Sequence, residues 1–80
     1  MRIISQDGTI DVPYETSSIA VSGKYCGIYV YSSAFLSGMR IGVYDTHEQA
    51  LAVMREIRED YKNGYTVFKL PKNNEVKVDD

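Results

Sequence analysis

A single helix-forming segment among strand-forming segments most constrains how this chain of 80 residues can fold. Residues 46–63 carry apolar side chains at helical spacing, whereas the segments around them alternate apolar and polar side chains as strands do. One amphipathic helix covers one face of a small sheet, and a chain of this length has room for little else. We therefore predict an α+β fold, an antiparallel sheet of about five strands with one helix packed on one face, in the order β-β-β-β-β-α-β.

Both ends of the predicted helix 46–63 carry recognisable signals. Asp45 or Thr46 is the expected N-cap, since Thr46 and Gln49 have capping-box spacing. Asn63-Gly64 is a typical helix stop, because glycine adopts a positive φ at little steric cost. The predicted apolar stripe consists of Ala50, Met54, Ile57 and Tyr61, with Leu51 and Val53 beside it.

The first residues, 1–12, are predicted to form a β-hairpin. Asp7-Gly8 is a strong signal for a two-residue type I′ turn, which needs a positive φ at both positions. That turn places Ile3 opposite Val12 and puts alternate residues on one buried face. The residues of this face are Ile3, Ser5, Ile10 and Val12.

The rest of the chain supplies the other predicted strands of what we expect to be a single domain, 1–80. The further strands lie within 19–44, where 25–31 shows the clearest alternation and 32–38 is interpreted as a loop. The last strand is 65–70, and the polar tail 72–80 either frays or pairs briefly through Val76 and Val78.

Alternation along these strands predicts two chemically different faces. The helix is expected to cover the aliphatic face, made of Ile3, Ile10, Val12, Ile28, Val30, Ile41, Val43 and Phe68. The opposite face is expected to be uncovered and to carry the candidate ligand-binding residues Tyr25, Tyr29, Tyr31, Arg40, Tyr44 and Lys69.

The uncovered face is the feature that points most directly to function. A tyrosine offers a flat stacking surface with a hydroxyl, and an arginine offers a planar fork that suits phosphate or carboxylate. Such a face is suited to hold a base and its phosphate, or to anchor a protein. Tyrosine also favours strands for purely structural reasons, and two such sheets could bury each other in a homo-oligomer. Phe35 and Leu36, in the predicted loop, are placed to reach across such an interface.

Charge and composition exclude several partners. The chain has 9 Lys and Arg against 11 Asp and Glu, and its cations are dispersed, so we expect no binding to duplex nucleic acid. No apolar run approaches the length of a membrane helix, so we expect no membrane partner. The single cysteine, Cys26, cannot form an internal disulfide, which favours a reducing, cytoplasmic location.

Catalytic motifs are not found in the sequence. His47 is the only histidine and falls in the first helical turn, where we interpret it as a solvated residue. Cys26 falls on the inward side of a predicted strand, where a small buried apolar role suits it better than that of a nucleophile. We therefore expect a protein that is not an enzyme and needs neither metal nor cofactor.

Three segments resemble a group of small, largely uncharacterised proteins from phages, prophages and mobile elements of Firmicutes. They are MRIISQDGTIDVPYE (1–15), YDTHEQA (44–50) and VFKLPK (67–72). The opening hairpin and the order of sheet and helix are also similar to the Thoeris anti-defence sponges. Those phage proteins bind immune signals of the cyclic-ADP-ribose type between subunits without cleaving them.

The second resemblance implies a non-enzymatic protein that sequesters a nucleotide-type immune signal in the cytoplasm of the host cell. It assigns no ligand residue of this chain. Two alternatives stay open: an inhibitor that uses the same face to bind a host defence enzyme, as anti-CRISPR proteins do, and a mobile-element accessory protein that only self-assembles.

Overall fold

The computed structural model describes residues 1–22, 24, 26–33, 35–76 and 78, with the backbone alone for Phe35. Within these residues the strands are β1 Arg2–Ile4, β2 Asp11–Pro13, β3 Ser18–Val21, β4 Gly27–Ser32, β5 Phe35–Val43 and β6 Val67–Lys69. The helix α1 is His47–Lys62, and a short 3-10 helix spans Asn73–Glu75. The α+β class and the order of five strands, a helix and a strand agree with the prediction.

The described strands form two sheets of three, not the predicted single sheet of five. The order of the first sheet is β2-β1-β6 and that of the second is β3-β4-β5. β1 and β6 pair in parallel, whereas the other pairs are antiparallel. Because β6 pairs with the first strand of the chain, it lies in a different sheet from the strands that carry the tyrosines.

Gln6 connects the two sheets. Its backbone N–H donates to the Ile41 carbonyl at 2.9 Å. Its side-chain amide accepts from Val43 N at 2.8 Å and donates to Val43 O at 3.1 Å, as the backbone of a neighbouring strand would. The same Nε2 donates to Pro71 O at 3.1 Å. One side chain therefore ties the end of β1 to β5 and to the segment that follows β6.

The first hairpin has the predicted register but a different turn. Ile3 pairs with Val12 and Ile4 with Asp11, as expected. Only Gly8 of the turn has a positive φ, at 77°, and its N–H donates to Ser5 O at 3.0 Å. Asp7 keeps a negative φ because its Oδ1 accepts from Ser5 Oγ and from Thr9 N and Oγ1, at 2.6, 3.0 and 2.7 Å. The prediction of a type I′ turn was therefore wrong.

The helix is confirmed in position and in both of its ends. Thr46 and Gln49 form the predicted capping box, and Gly64 follows the C-cap with φ 83°. The inward residues of α1 are Ala50, Val53 and Ile57, whereas Tyr61 is 45% exposed. The buried stripe is therefore narrower than predicted, and Tyr61 lies at its edge.

The core lies where α1 meets the inward faces of both sheets. Its buried residues are Ile3, Val12, Ile28, Val30, Ile41, Tyr44, Ala50, Val53, Ile57, Phe68 and Leu70. Val43, predicted to be inward, is 40% exposed. Its position follows from a change in the register of β5 that is described with the site below.

Two further segments differ from the prediction. The expected loop 32–38 is largely strand, since β5 begins at Phe35, whose partner is Ser32. The first part of the tail is docked to the start of α1, because Asn73 Oδ1 accepts from Asp45 N and Gln49 Nε2 donates to Asn73 O. The predicted pairing through Val76 and Val78 does not occur within the described residues; the tail positions 77, 79 and 80 lie outside them.

Replacement of Gln6 tests the connection between the sheets. Gln6→Ala removes three side-chain hydrogen bonds, so we expect the free energy of unfolding to fall by about 1–2 kcal/mol. Urea denaturation measures the change. Asn74→Ala is the matched control, because it removes an exposed amide that makes no hydrogen bond to the described residues, and it should change stability by less than about 0.5 kcal/mol. Equal effects of the two substitutions would contradict the role of Gln6.

Acid titration tests the hairpin turn. The hydrogen bonds from Ser5 and Thr9 lower the pKa of Asp7 from 3.8 to about 2. A lowered carboxyl pKa stabilises the fold above pH 4 or so, and the contribution disappears as the pH falls toward about 2. Asp7→Asn should therefore be less stable than the wild type at pH 7 and approach it at pH 2. Urea denaturation at both pH values measures the difference in the free energy of unfolding between the two proteins. A difference that stays the same at pH 2 would show that the carboxylate of Asp7 does not stabilise the turn.

Candidate functional site

Tyr29 and Arg40 lie directly opposite each other on β4 and β5. Ile28 pairs with Gly42 and Tyr29 with Arg40, so Ile41 is an extra residue on β5. This β-bulge lets Ile41 enter the core, 3% exposed, while Arg40 faces away from it beside Tyr29. A regular register would instead place Ile41 opposite Tyr29. We call the outward side of the second sheet, with Tyr29, Tyr31 and Arg40, the open face.

A glycine creates the space in which these two side chains converge. A Cβ built on Gly27 would lie 3.0 Å from Tyr29 Cε1 and 3.5 Å from Arg40 Cδ. The ring of Tyr29 and the stem of Arg40 therefore both extend over the backbone of Gly27. Any larger residue at this position would displace the ring, so Gly27 belongs to the site although it has no side chain.

Tyr31 is held against a second glycine. Between the pairs Val30–Met39 and Ser32–Phe35, β5 has two more residues than β4, and Gly38 in this bulge has φ 88°. A Cβ on Gly38 would lie 2.5 Å from Tyr31 Cε1, so one side of the ring packs on the glycine. Tyr31 is 39% exposed, so part of its side chain stays accessible to a ligand.

Tyr44 does not belong to the open face, contrary to the prediction. It is 3% exposed within the core, and its hydroxyl donates to Pro71 O at 2.8 Å. Burial raises the pKa of this hydroxyl far above its ordinary value. The prediction assumed that the alternation of the strand continues to Tyr44. The strand β5 ends at Val43 instead, where the chain turns toward α1.

Lys69 and Tyr25 are likewise not brought to the open face. Lys69 pairs with Ile4 in the first sheet, on the exposed side opposite to buried Phe68. The reason is the parallel pairing of β6 with β1, which removes Lys69 from the sheet of Tyr29 and Arg40. Tyr25 lies outside the described residues. Of the six predicted ligand-binding residues, the structure brings together Tyr29, Tyr31 and Arg40.

Asp7 is a potential site residue that the sequence did not indicate. A cavity of about 190 Å³ lies beside Arg40, between the hairpin turn at Gln6 and Asp7 and residues 41–43 of β5. Oδ1 of Asp7 is occupied by Ser5 and Thr9, which leaves Oδ2 without a hydrogen bond among the described residues. A cation and a carboxylate therefore border the same space. The motif Asp7-Gly8 indicated a turn, but nothing local indicated that the turn faces β5.

This arrangement is suited to bind a flat, anionic ligand. Tyr29 and Tyr31 offer ring surfaces, and Arg40 offers hydrogen-bond donors to phosphate. His47 is exposed in the first turn of α1, and Cys26 is partly buried just before β4 with φ 52°, not on the strand as predicted. Among the described residues, no group of three or more His, Cys, Asp and Glu side chains is placed to hold a metal ion.

Comparison of the chain with protein-family models, with curated proteins and with solved structures gives no match. No helix in the described part of the chain is both long and apolar enough to cross a membrane.

Removal of one hydroxyl tests the reassignment of Tyr44 to the core. Tyr44→Phe should lower the free energy of unfolding by about 1 kcal/mol, because the buried hydroxyl loses its bond to Pro71. Tyr65→Phe is the matched control: this residue is 59% exposed, and its hydroxyl has no hydrogen bond within the described part of the chain. Thermal and urea denaturation measure the stability of both variants. A neutral Tyr44→Phe would return Tyr44 to the list of candidate ligand residues.

Proposed function

We propose that this protein is a non-enzymatic binding protein that sequesters a nucleotide-type signal on its open face, in the manner of a phage anti-defence sponge. The observation that carries the proposal is the placement of Tyr29 directly opposite Arg40, with both side chains extending over Gly27. A stacking ring beside a planar cation matches a base linked to a phosphate. The resemblance of residues 1–15, 44–50 and 67–72 to phage and prophage proteins supports the anti-defence setting.

The surroundings of Arg40 suit the sugar of such a ligand as well. Asp7 shares the cavity beside Arg40 and has one carboxylate oxygen that accepts no hydrogen bond from the described residues. Ribose hydroxyls donate to such an oxygen, whereas a phosphate would be repelled by it. A nucleotide would therefore be oriented with its base toward Tyr29 or Tyr31, its phosphate toward Arg40 and its ribose toward Asp7.

A protein partner is the second candidate, and it is favoured by the apolar residues of the β4–β5 hairpin. Leu36 is 85% exposed and Met39 is 37% exposed, close in sequence to Arg40. Aromatic and aliphatic anchors beside an arginine are typical of protein interfaces. The partner would be a host defence enzyme, or a second copy of the chain in a homo-oligomer.

Nucleotide binding is tested by calorimetric titration and thermal shift with cyclic ADP-ribose, ADP-ribose and cyclic AMP. We expect at least one of them to raise the melting temperature and to be recovered intact after heat denaturation. Arg40→Ala should weaken its binding about tenfold or more, because a charge-assisted hydrogen bond is lost, without lowering the melting temperature of the free protein.

Arg55→Ala is the matched control, since it removes an exposed arginine of α1 that does not lie on the open face. It should bind the nucleotide as the wild type does. Unchanged binding by Arg40→Ala would contradict the assigned phosphate contact. Recovery of a cleaved nucleotide would contradict a non-enzymatic role, and binding of a host protein without any nucleotide response would favour the second candidate.

A further inference from the structure

A second concave site lies on the other side of the molecule, between the connection from β2 to β3 and the helix α1. The groove has a volume of about 470 Å³, within the range of about 300–1,000 Å³ that small-molecule sites occupy. The residues that matter for its chemistry are Tyr14, Ser17, Met54, Ile57, Arg58 and Tyr61. It shares no residue with the open face.

The groove combines an apolar floor with an aromatic wall. Ile57 is 1% exposed in the core, and Met54 packs partly buried against it. The rings of Tyr14 and Tyr61 lie 4.8 Å apart with a tilt of 48°, so they support each other at one end of the groove. A flat apolar ring is the ligand shape that such a surface accommodates best.

The hydroxyl of Ser17 is buried and has no hydrogen-bond partner among the described residues. A buried polar group without a partner is uncommon and destabilising, which calls for an explanation. Ser17 also lines the groove, so the unpaired hydroxyl belongs to a residue at the wall of the site. A ligand with a polar substituent at this position would supply the missing partner.

Charge in the groove selects an anion. Glu15, at its edge, is paired with the N-terminal amine at 2.5 Å, and this hydrogen bond lowers the pKa of its carboxyl. Arg58, on α1, makes no ion pair with the described residues. The guanidinium is therefore the charge that a ligand meets, and it binds carboxylates in a planar, bidentate manner.

We propose that this groove binds a small aromatic carboxylate, with its ring on Met54 and Tyr61, its carboxylate on Arg58 and a polar substituent on Ser17 Oγ. The site is independent of the nucleotide site proposed above. The ligand needs a flat apolar ring to match the floor and the aromatic wall of the groove. It also needs a negative charge to pair with the guanidinium of Arg58.

The proposal is tested by ¹⁵N NMR titration of the whole chain with benzoate, 4-hydroxyphenylacetate and indole-3-acetate at millimolar concentration. We expect amide shifts at Ser17 and at residues 54–58 with at least one of them, and far weaker shifts with neutral indole-3-ethanol. Arg58→Ala should weaken binding about tenfold, whereas Arg55→Ala on the same helix and Arg40→Ala on the open face should not. No shift with any of the three acids, or equal shifts with the alcohol, would overturn the proposal.

Ser17→Ala separates a ligand contact from a structural role. It removes an unpaired buried hydroxyl, so the free protein should melt at the same temperature as the wild type or higher. The same substitution should weaken binding of indole-3-acetate about threefold, because the hydrogen bond to its ring N–H is lost. A lower melting temperature with unchanged binding would show that the hydroxyl serves the fold and would overturn its assignment.

Discussion

The arrangement of the two sheets depends on the hydrogen bonds that Gln6 makes. The backbone N–H of Gln6 bonds to Ile41 O, and its side chain supplies the donor and acceptor that β5 needs at Val43. Its third bond, to Pro71, holds the chain after β6 in the same place. Pro71 O also accepts from the buried hydroxyl of Tyr44, so the same carbonyl connects the sheet junction to the core. The open face is oriented relative to the first hairpin through this junction.

The sequence was sufficient to predict the elements whose geometry is determined by residues that are close together in the chain. The helix α1 follows from the capping box of Thr46 and Gln49 and from the stop at Gly64. The register of the first hairpin follows from the short connection at Asp7-Gly8, even though the turn is of another type. In both cases a few adjacent residues determine the geometry, because the hydrogen bonds that fix it are made within one turn or one hairpin.

The errors arise where partners are distant in sequence. Alternation cannot show that β6 pairs with β1 and takes Lys69 into another sheet, because parallel pairing depends on how α1 carries the chain across the molecule. It also cannot show the extra residue Ile41, which alone sets Arg40 opposite Tyr29. Tyr44 was misplaced for a related reason: its ring fills a core formed by residues from both sheets and the helix, and only the assembled fold creates that space.

The two proposed sites differ in how much of a ligand one chain can bury. An exposed sheet surface contacts a ligand from one side, whereas tight small-molecule sites bury about 70–90% of the ligand. Tyr29, Tyr31 and Arg40 can therefore sequester a nucleotide strongly only if something covers its other side. A second copy of the chain would supply that cover, and Leu36, 85% exposed at the end of the same hairpin, would be buried in the contact. The groove beside Ser17 already has a floor and a wall within one chain, so its affinity should not depend on protein concentration, whereas that of the open face should.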